Sequence, residues 1–256
     1  MSEFVSVEQD GRVRHLILNR PEKRNAINGE VVLALREAAR EAADDGDVHC
    51  VVLRGAGKCF SAGVDVFELA GTADRTDLLR PFRRACIEAA NALEEMKKPV
   101  VASIHGACLG LGAELALACD VRVVADDLAF GLPEVKLGLI PDVGGSSRLP
   151  AVVGLGNAKE LIMTGRTIDA AEAHRIGAAN RVAPAAELEA ATAALVDELL
   201  AAAPLAVGLA KGVLDSVAKP TLATSLELEV TTQQTLVGSP DFREAGAAFM
   251  ERLTVT

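Results

Sequence analysis

Tryptophan and tyrosine are absent from this 256-residue chain, and only seven phenylalanines supply aromatic rings. That disfavours nucleic-acid modules, which stack bases on aromatic platforms. Positive charge is also short: 26 Lys and Arg face 36 Asp and Glu, a net charge of −10 that repels a phosphate backbone. No run of 18 apolar residues occurs, so no segment reads as a membrane span. The opening Met1-Ser2-Glu3-Phe4-Val5 lacks a basic stretch followed by an apolar one, and no signal peptide is expected. Cys50, Cys59, Cys86, Cys108 and Cys119 are odd in number, scattered and mostly set in apolar runs. Buried reduced thiols and a cytoplasmic location are therefore expected. His15, His49, His105 and His174 show no metal-ligand spacing, so no metal is expected.

What remains is apolar and ordered in character. Half the residues are hydrophobic and 24% are charged, enough for a sizeable core in one main domain with a smaller appendage. Val13–Leu18, Cys50–Leu53, Val100–Ile104 and Val121–Val124 read as strands. Between them, Val31–Ala43 and Arg83–Met96 carry apolar residues at helical spacing. This alternation predicts an α/β core with parallel pairing. A polar stretch, Gly71–Asp77, reads as a surface loop. From about Glu187 onward alanine-rich helical text dominates, punctuated by Pro204 and Pro220. The expected division is a core over 1–195 and a helical region over 196–256.

The chemistry concentrates in Leu109-Gly110-Leu111-Gly112-Ala113-Glu114 and in Phe130-Gly131-Leu132-Pro133-Glu134. Gly110 and Gly112 permit close backbone approach, and Leu115-Ala116-Leu117-Ala118 continues as a helix. An oxygen docked at that helix start would meet free N–H groups and the positive end of a dipole. Glu114 has apolar neighbours on every side, so it is either a catalytic carboxylate or half of a buried ion pair with Lys97, Lys98 or an arginine. Glu134 is a second candidate acid, or simply the favourable acid at the start of a turn. Asp142, in Ile140-Pro141-Asp142-Val143-Gly144-Gly145, reads first as a cap for the following helix. A second glycine turn, Cys59-Phe60-Ser61-Ala62-Gly63-Val64-Asp65, could supply the other half of an oxyanion hole. Ser61 lacks the glycine flank of a nucleophile elbow and has no histidine nearby in sequence. Two phosphate-binding patterns fail. Leu115 replaces the third glycine of a dinucleotide fingerprint, and around Gly57-Lys58-Cys59 the first P-loop glycine is Val52.

These segments, together with Leu18-Asn19-Arg20-Pro21-Glu22-Lys23-Arg24-Asn25-Ala26, His105–Asp120, Phe130–Arg148 and Ser239–Arg252, make the chain resemble the enoyl-CoA hydratase/isomerase (crotonase) family over its whole length. The resemblance implies a crotonase-like spiral of ββα units with a C-terminal helical trimerisation region, assembled as a homotrimer or a dimer of trimers. It places the oxyanion-hole N–H groups on Val64 and Leu111, the latter at a position often held by glycine. It matches Glu114 and Glu134 to the acid pair of the hydratase branch, with Glu114 orienting water and Glu134 protonating C2 of a 2-enoyl-CoA thioester. Coenzyme A is then part of the substrate, and no separate cofactor is implied. Arg24, Ser61, Ala62, Asp65 and Gly110 fall where substrate or coenzyme A is bound, and Lys211 where a neighbouring subunit contributes. The acyl tail pocket would draw on Phe67–Phe82.

Asp142 departs from the hydratase pattern. Dienoyl-CoA isomerases carry an Asp eight residues after the second acid, as here, but have Asp where this chain has Glu114. Some acyl-CoA hydrolases of the family share the Pro-Asp-Val-Gly-Gly run. The combination implies a hydratase first. A dienoyl- or enoyl-CoA double-bond isomerase using Glu134 and Asp142 comes second, and a non-catalytic acyl-CoA-binding paralogue third.

Overall fold

In the computed structural model, residues 3–67, 76–237 and 239–254 are described. Among the described residues nine strands form two sheets. The larger runs β1 (Val5–Asp10), β2 (Val13–Leu18), β3 (Cys50–Gly55), β4 (Val100–Ile104), β6 (Val121–Ala125) and β9 (Arg181–Ala183), in that order. β1 and β2 form an antiparallel hairpin, and every later pairing in this sheet is parallel. The smaller sheet is β5 (Ala107–Leu109), β7 (Ala129–Gly131) and β8 (Thr167–Ile168).

The four strands expected from sequence include the most deeply buried ones. β4, Val100-Val101-Ala102-Ser103-Ile104, is buried at every position, as a central parallel strand must be. The strands that sequence reading missed are short or polar, such as β5 with three residues and β1 ending in Glu8-Gln9-Asp10. α1 (Gly29–Asp44) starts where the Asn28 side chain accepts a hydrogen bond from the Val31 N–H at 3.0 Å. Its Val31, Leu35, Ala38, Ala39 and Ala42 face the core.

The main core lies on one face of the large sheet, beneath α1, α2 (Thr76–Glu94) and α3 (Leu111–Ala118). All eight residues of α3 are buried. The other face is covered by α7 (Leu188–Leu200), whose Leu188, Leu195 and Val196 pack on Cys50, Val52, Val101 and Val123. The expected division at 195/196 therefore falls inside a helix that belongs to the sheet. The chain leaves the sheet only at residues 201–203, before α8 (Pro204–Ala218), α9 (Leu222–Val237) and α10 (Pro240–Thr254). Between β7 and α7 lie α4 (Gly145–Val153), α5 (Leu155–Thr164) and α6 (Ala170–Arg175).

Residues 71–75 of the expected surface loop lie outside the described residues, while Thr76 and Asp77 open α2. Among the described residues no single helix is long and apolar enough to cross a membrane. All five cysteines are free and buried, and burial pushes the Cys50, Cys86 and Cys119 thiols up to about 12, so they stay protonated.

Candidate active site

The site is assembled where three backbone segments come closer than side chains would allow. Gly63 and Gly110 both have left-handed φ angles, 98° and 51°. A Cβ on Gly63 would sit 2.8 Å from the Leu109 carbonyl oxygen and 3.5 Å from the Leu111 nitrogen. A Cβ on Gly110 would meet the Glu134 carboxylate at 3.2 Å. The two glycine turns and the second acid thus converge on one point. A Cβ on Gly112 would lie 2.7 Å from that of Ser61, so α3 is seated directly on the other turn.

The N–H groups of Val64 and Leu111 lie at this junction without an acceptor among the described residues. Val64 bridges Ile27, but the bridge bonds use Gly63 O and Asp65 N and leave the Val64 N–H free. Leu111 opens α3 and is one of the helix-start donors that no intrahelical carbonyl can reach. The 61–65 turn is held rigidly. The Ser61 hydroxyl, fully buried, donates to the Asn25 carbonyl at 2.8 Å and accepts from the Gly63 N–H at 3.1 Å. Asn25 has a φ of 53°, and its amide offsets that strain by donating to the Ala56 and Cys59 carbonyls, both at 2.8 Å.

Glu114 is 2% exposed. Its Oε1 accepts from the Val143 N–H at 2.7 Å and the Gly145 N–H at 2.9 Å, while Oε2 has no donor among the described residues. No lysine or arginine forms an ion pair with it among the described residues, and Lys98 instead donates to the Ala42 carbonyl at 2.6 Å. The buried ion pair allowed by the sequence is therefore not formed; backbone donors take its place. Burial raises the Glu114 pKa, and the two N–H bonds oppose that rise.

Glu134 opens the 3-10 turn Glu134–Leu137, as its turn-start reading required, yet its Oε2 is shut from solvent with no partner among the described residues. Burial, then the Glu114 charge, pushes its pKa well above the carboxylate range. Asp142 does not cap α4. The N-cap of that helix is Gly144, and Asp142 forms an ion pair with Arg83 at 2.7 Å, both side chains almost wholly buried. Burial pushes its pKa up to about 7 against the pull of Arg83.

The coenzyme-side residues divide. Arg24 is exposed on the loop that accepts the Ala62 N–H at its carbonyl, 2.9 Å away, so Arg24 and Ala62 share a rim. Asp65 pairs with Arg20 at 3.2 Å. The Ser61 side chain is enclosed and serves the turn, and its backbone N–H and carbonyl are bonded to Ala107 and Leu109, so Ser61 holds the turn in place. Lys211, expected to contribute from a neighbouring subunit, is engaged inside its own chain. Its ammonium is spent within its own chain on Asp120 at 2.9 Å and on the Leu93 and Lys98 carbonyls, both at 3.2 Å. Within the acyl tail segment Phe67–Phe82, residues 68–75 lie outside the described residues.

Three residues around the acids escaped sequence reading. Arg83 sits in Arg80-Pro81-Phe82-Arg83-Arg84, where nothing distinguishes the buried arginine from its exposed neighbours. Arg148 and Glu229 come from helices whose sequences read as ordinary amphipathic text. Among the described residues no cluster of His, Cys, Asp or Glu is arranged to hold a metal.

Two glycine turns with unpaired N–H groups meet beside two buried carboxylates, an arrangement able to move protons next to a polarised carbonyl. The enoyl-CoA hydratase/isomerase family profile matches residues 8–256, and the chain belongs to that family. It is 38% identical over 253 residues to a probable enoyl-CoA hydratase of Mycobacterium bovis, covering 98% of this chain and 96% of that one. A short-chain-enoyl-CoA hydratase of Clostridium acetobutylicum is 35% identical, with 97% and 95% covered. The crystal structure of an enoyl-CoA hydratase from Mycobacterium avium subsp. paratuberculosis superposes with a TM-score of 0.89 at 30% identity, covering 97% of this chain and 96% of that one. The crotonase fold expected from sequence is the fold observed.

Proposed function

We propose that this enzyme adds water across the 2,3 double bond of a 2-enoyl-CoA to give the 3-hydroxyacyl-CoA. The observation that carries the reading is the meeting of Glu134 with the Gly63 and Gly110 turns, beside two unused N–H groups. The thioester oxygen takes the Val64 and Leu111 N–H groups, which stabilise the enolate-like charge that develops as C3 is attacked. In comparable sites one such donor contributes roughly 2.7–4 kcal/mol. Glu114, its Oε1 fixed by two backbone bonds, presents Oε2 to the water and accepts the proton it loses. Glu134 suits the opposite task. A carboxyl whose pKa is raised by burial keeps its proton at neutral pH and delivers it to C2. The proton left on Glu114 then returns to Glu134, which restores both acids.

Every atom of the added water is accounted for by these two groups, so the scheme needs no metal or redox cofactor. Coenzyme A enters as part of the substrate, with the exposed Arg24 and the Ala62–Asp65 rim on its side of the turn. Asp142 speaks against the isomerase alternative, because its carboxylate is already occupied by Arg83. Purified protein offered crotonyl-CoA is expected to yield a product heavier by one water, identified by mass spectrometry. Isomerisation of a 3,5-dienoyl-CoA without any hydration would overturn the reading, and tight acyl-CoA binding with neither reaction would favour a binding paralogue.

The free, buried thiols support a reducing, cytoplasmic setting. A homotrimer, or a dimer of trimers, is supported by α8. Its Leu205, Leu209, Val213 and Val217 recur every fourth residue, and each is more than half exposed in the single chain. Light scattering on the eluting protein is expected to return three or six times the 26.6 kDa chain mass, and Val213→Glu to lower it. A wild-type monomer would remove the role assigned to α8.

A further inference from the structure

Glu229 is a buried carboxylate that the scheme above does not use. It lies on α9, is 4% exposed, and has no cation partner among the described residues. Its Oε2 accepts from the Gly144 N–H at 2.7 Å, and its Oε1 accepts from the Ser147 hydroxyl. The bond to Gly144 is placed tellingly. Val143, Gly144 and Gly145 are consecutive; the outer two N–H groups hold Glu114 and the middle one holds Glu229. Gly144 has a φ of 98°, and a Cβ there would lie 1.8 Å from the Arg148 guanidinium, so only glycine permits this alternation.

One turn further along α9, Gln233 accepts from the Ile140 N–H at 3.0 Å. The loop from Ile140 to Gly145 is thus gripped at both ends by one face of a C-terminal helix. We propose that Glu229 is a positioning residue for Glu114, holding the 143–145 peptides at the orientation that presents Glu114 Oε2 to the water. Burial, together with the nearby Glu114 charge, pushes the Glu229 pKa up to about 8. An acid kept at such a cost is consistent with a geometric duty that an apolar residue cannot perform. The inference rests on the assignment of Glu114 as the water-orienting group.

The test compares Glu229→Leu, Glu229→Gln and Glu229→Asp with wild type in hydration of crotonyl-CoA. Leu removes the acceptor, Gln keeps it without the charge, and Asp withdraws it by one methylene. A fall in kcat of about 30-fold is expected for Leu and about tenfold for Asp, with KM within about twofold because no acyl-CoA contact is touched. Gln should recover kcat to within about threefold of wild type. Should the Leu variant fail to fold, the Asp and Gln pair decides alone. Asp at wild-type kcat, equal losses in Gln and Asp, or losses carried by KM would each overturn the role of Glu229. A wild-type protein that does not hydrate the thioester would instead overturn the functional reading on which it rests.

Discussion

Glu134→Gln is expected to lower kcat by about 10³-fold while leaving KM and the oligomeric mass near their wild-type values. The substitution is isosteric, so the Val64 and Leu111 N–H groups, to which the proposal gives the thioester oxygen, and the glycine turns stay in place. What is lost is the proton for C2, which an amide cannot supply. Steady-state hydration and an acyl-CoA binding titration check the two halves of this expectation. Turnover near the wild-type rate would remove Glu134 from the reaction.

The same variant should not be less stable than wild type. Glu134 Oε2 is enclosed without a partner among the described residues, and burial raises the pKa of its carboxyl well above 4.5. Between its unfolded and folded values the folded state therefore binds the extra proton, and stability falls as pH rises across that window. An amide has no such penalty. The melting temperature of Glu134→Gln relative to wild type is thus expected to climb as pH increases from about 4.5. A variant that melts lower at every pH would show that the carboxyl has a structural duty.

Arg148→Leu is the substitution with the largest expected cost in stability, about 3–5 kcal/mol from breaking a buried pair, and a loss of roughly 6–20 °C in Tm. Arg148 is completely buried. It donates to Glu94 at 2.8 Å, to Asn91 at 2.9 Å and to the Val143 carbonyl at 2.8 Å, tying α2 to the loop that holds Glu114. Leucine fills part of the volume but leaves the Glu94 carboxylate with Lys219 as its remaining cation. Burial alone would raise the Glu94 pKa, yet Arg148 and then Lys219 outweigh it and leave it below 4.5. A depressed carboxylate stabilises the fold above its unfolded pKa, and that contribution is lost as pH falls through the folded value. The difference between variant and wild type should therefore be greatest at neutral pH and shrink below about pH 4, measured by denaturant titration. A constant difference down to pH 3 would mean that packing, not the ion pair, carries the effect.

Both expectations turn on residues that differ in how visible they are in the sequence. Glu114 and Glu134 stand out because each is an acid in apolar text next to glycines, Glu114 on a helix with no polar face and Glu134 at the start of a turn. The continuous apolar runs of β3 and β4 are equally legible, since strands buried on both faces admit few polar residues. The short β5, β7 and β8 leave no such pattern in three residues or fewer, and their pairing with one another, with Ser61 bridging Cys108, comes from distant segments.

The sequence by itself therefore determined the class of core and the family, and it marked the two acids and the two glycine turns as candidates. It did so because these are local features, written in side-chain periodicity and in glycine placement. Tertiary structure alone decided what each charge is paired with. Glu114 is held by backbone rather than by a lysine, Asp142 is taken by Arg83 instead of capping α4, and Lys211 is spent on Asp120. It also decided that Glu229, 115 residues beyond Glu114 in the chain, shares one tripeptide with it. Pairing of buried charges depends on which segments meet in space, and a buried arginine or glutamate has the same letters on either side as an exposed one.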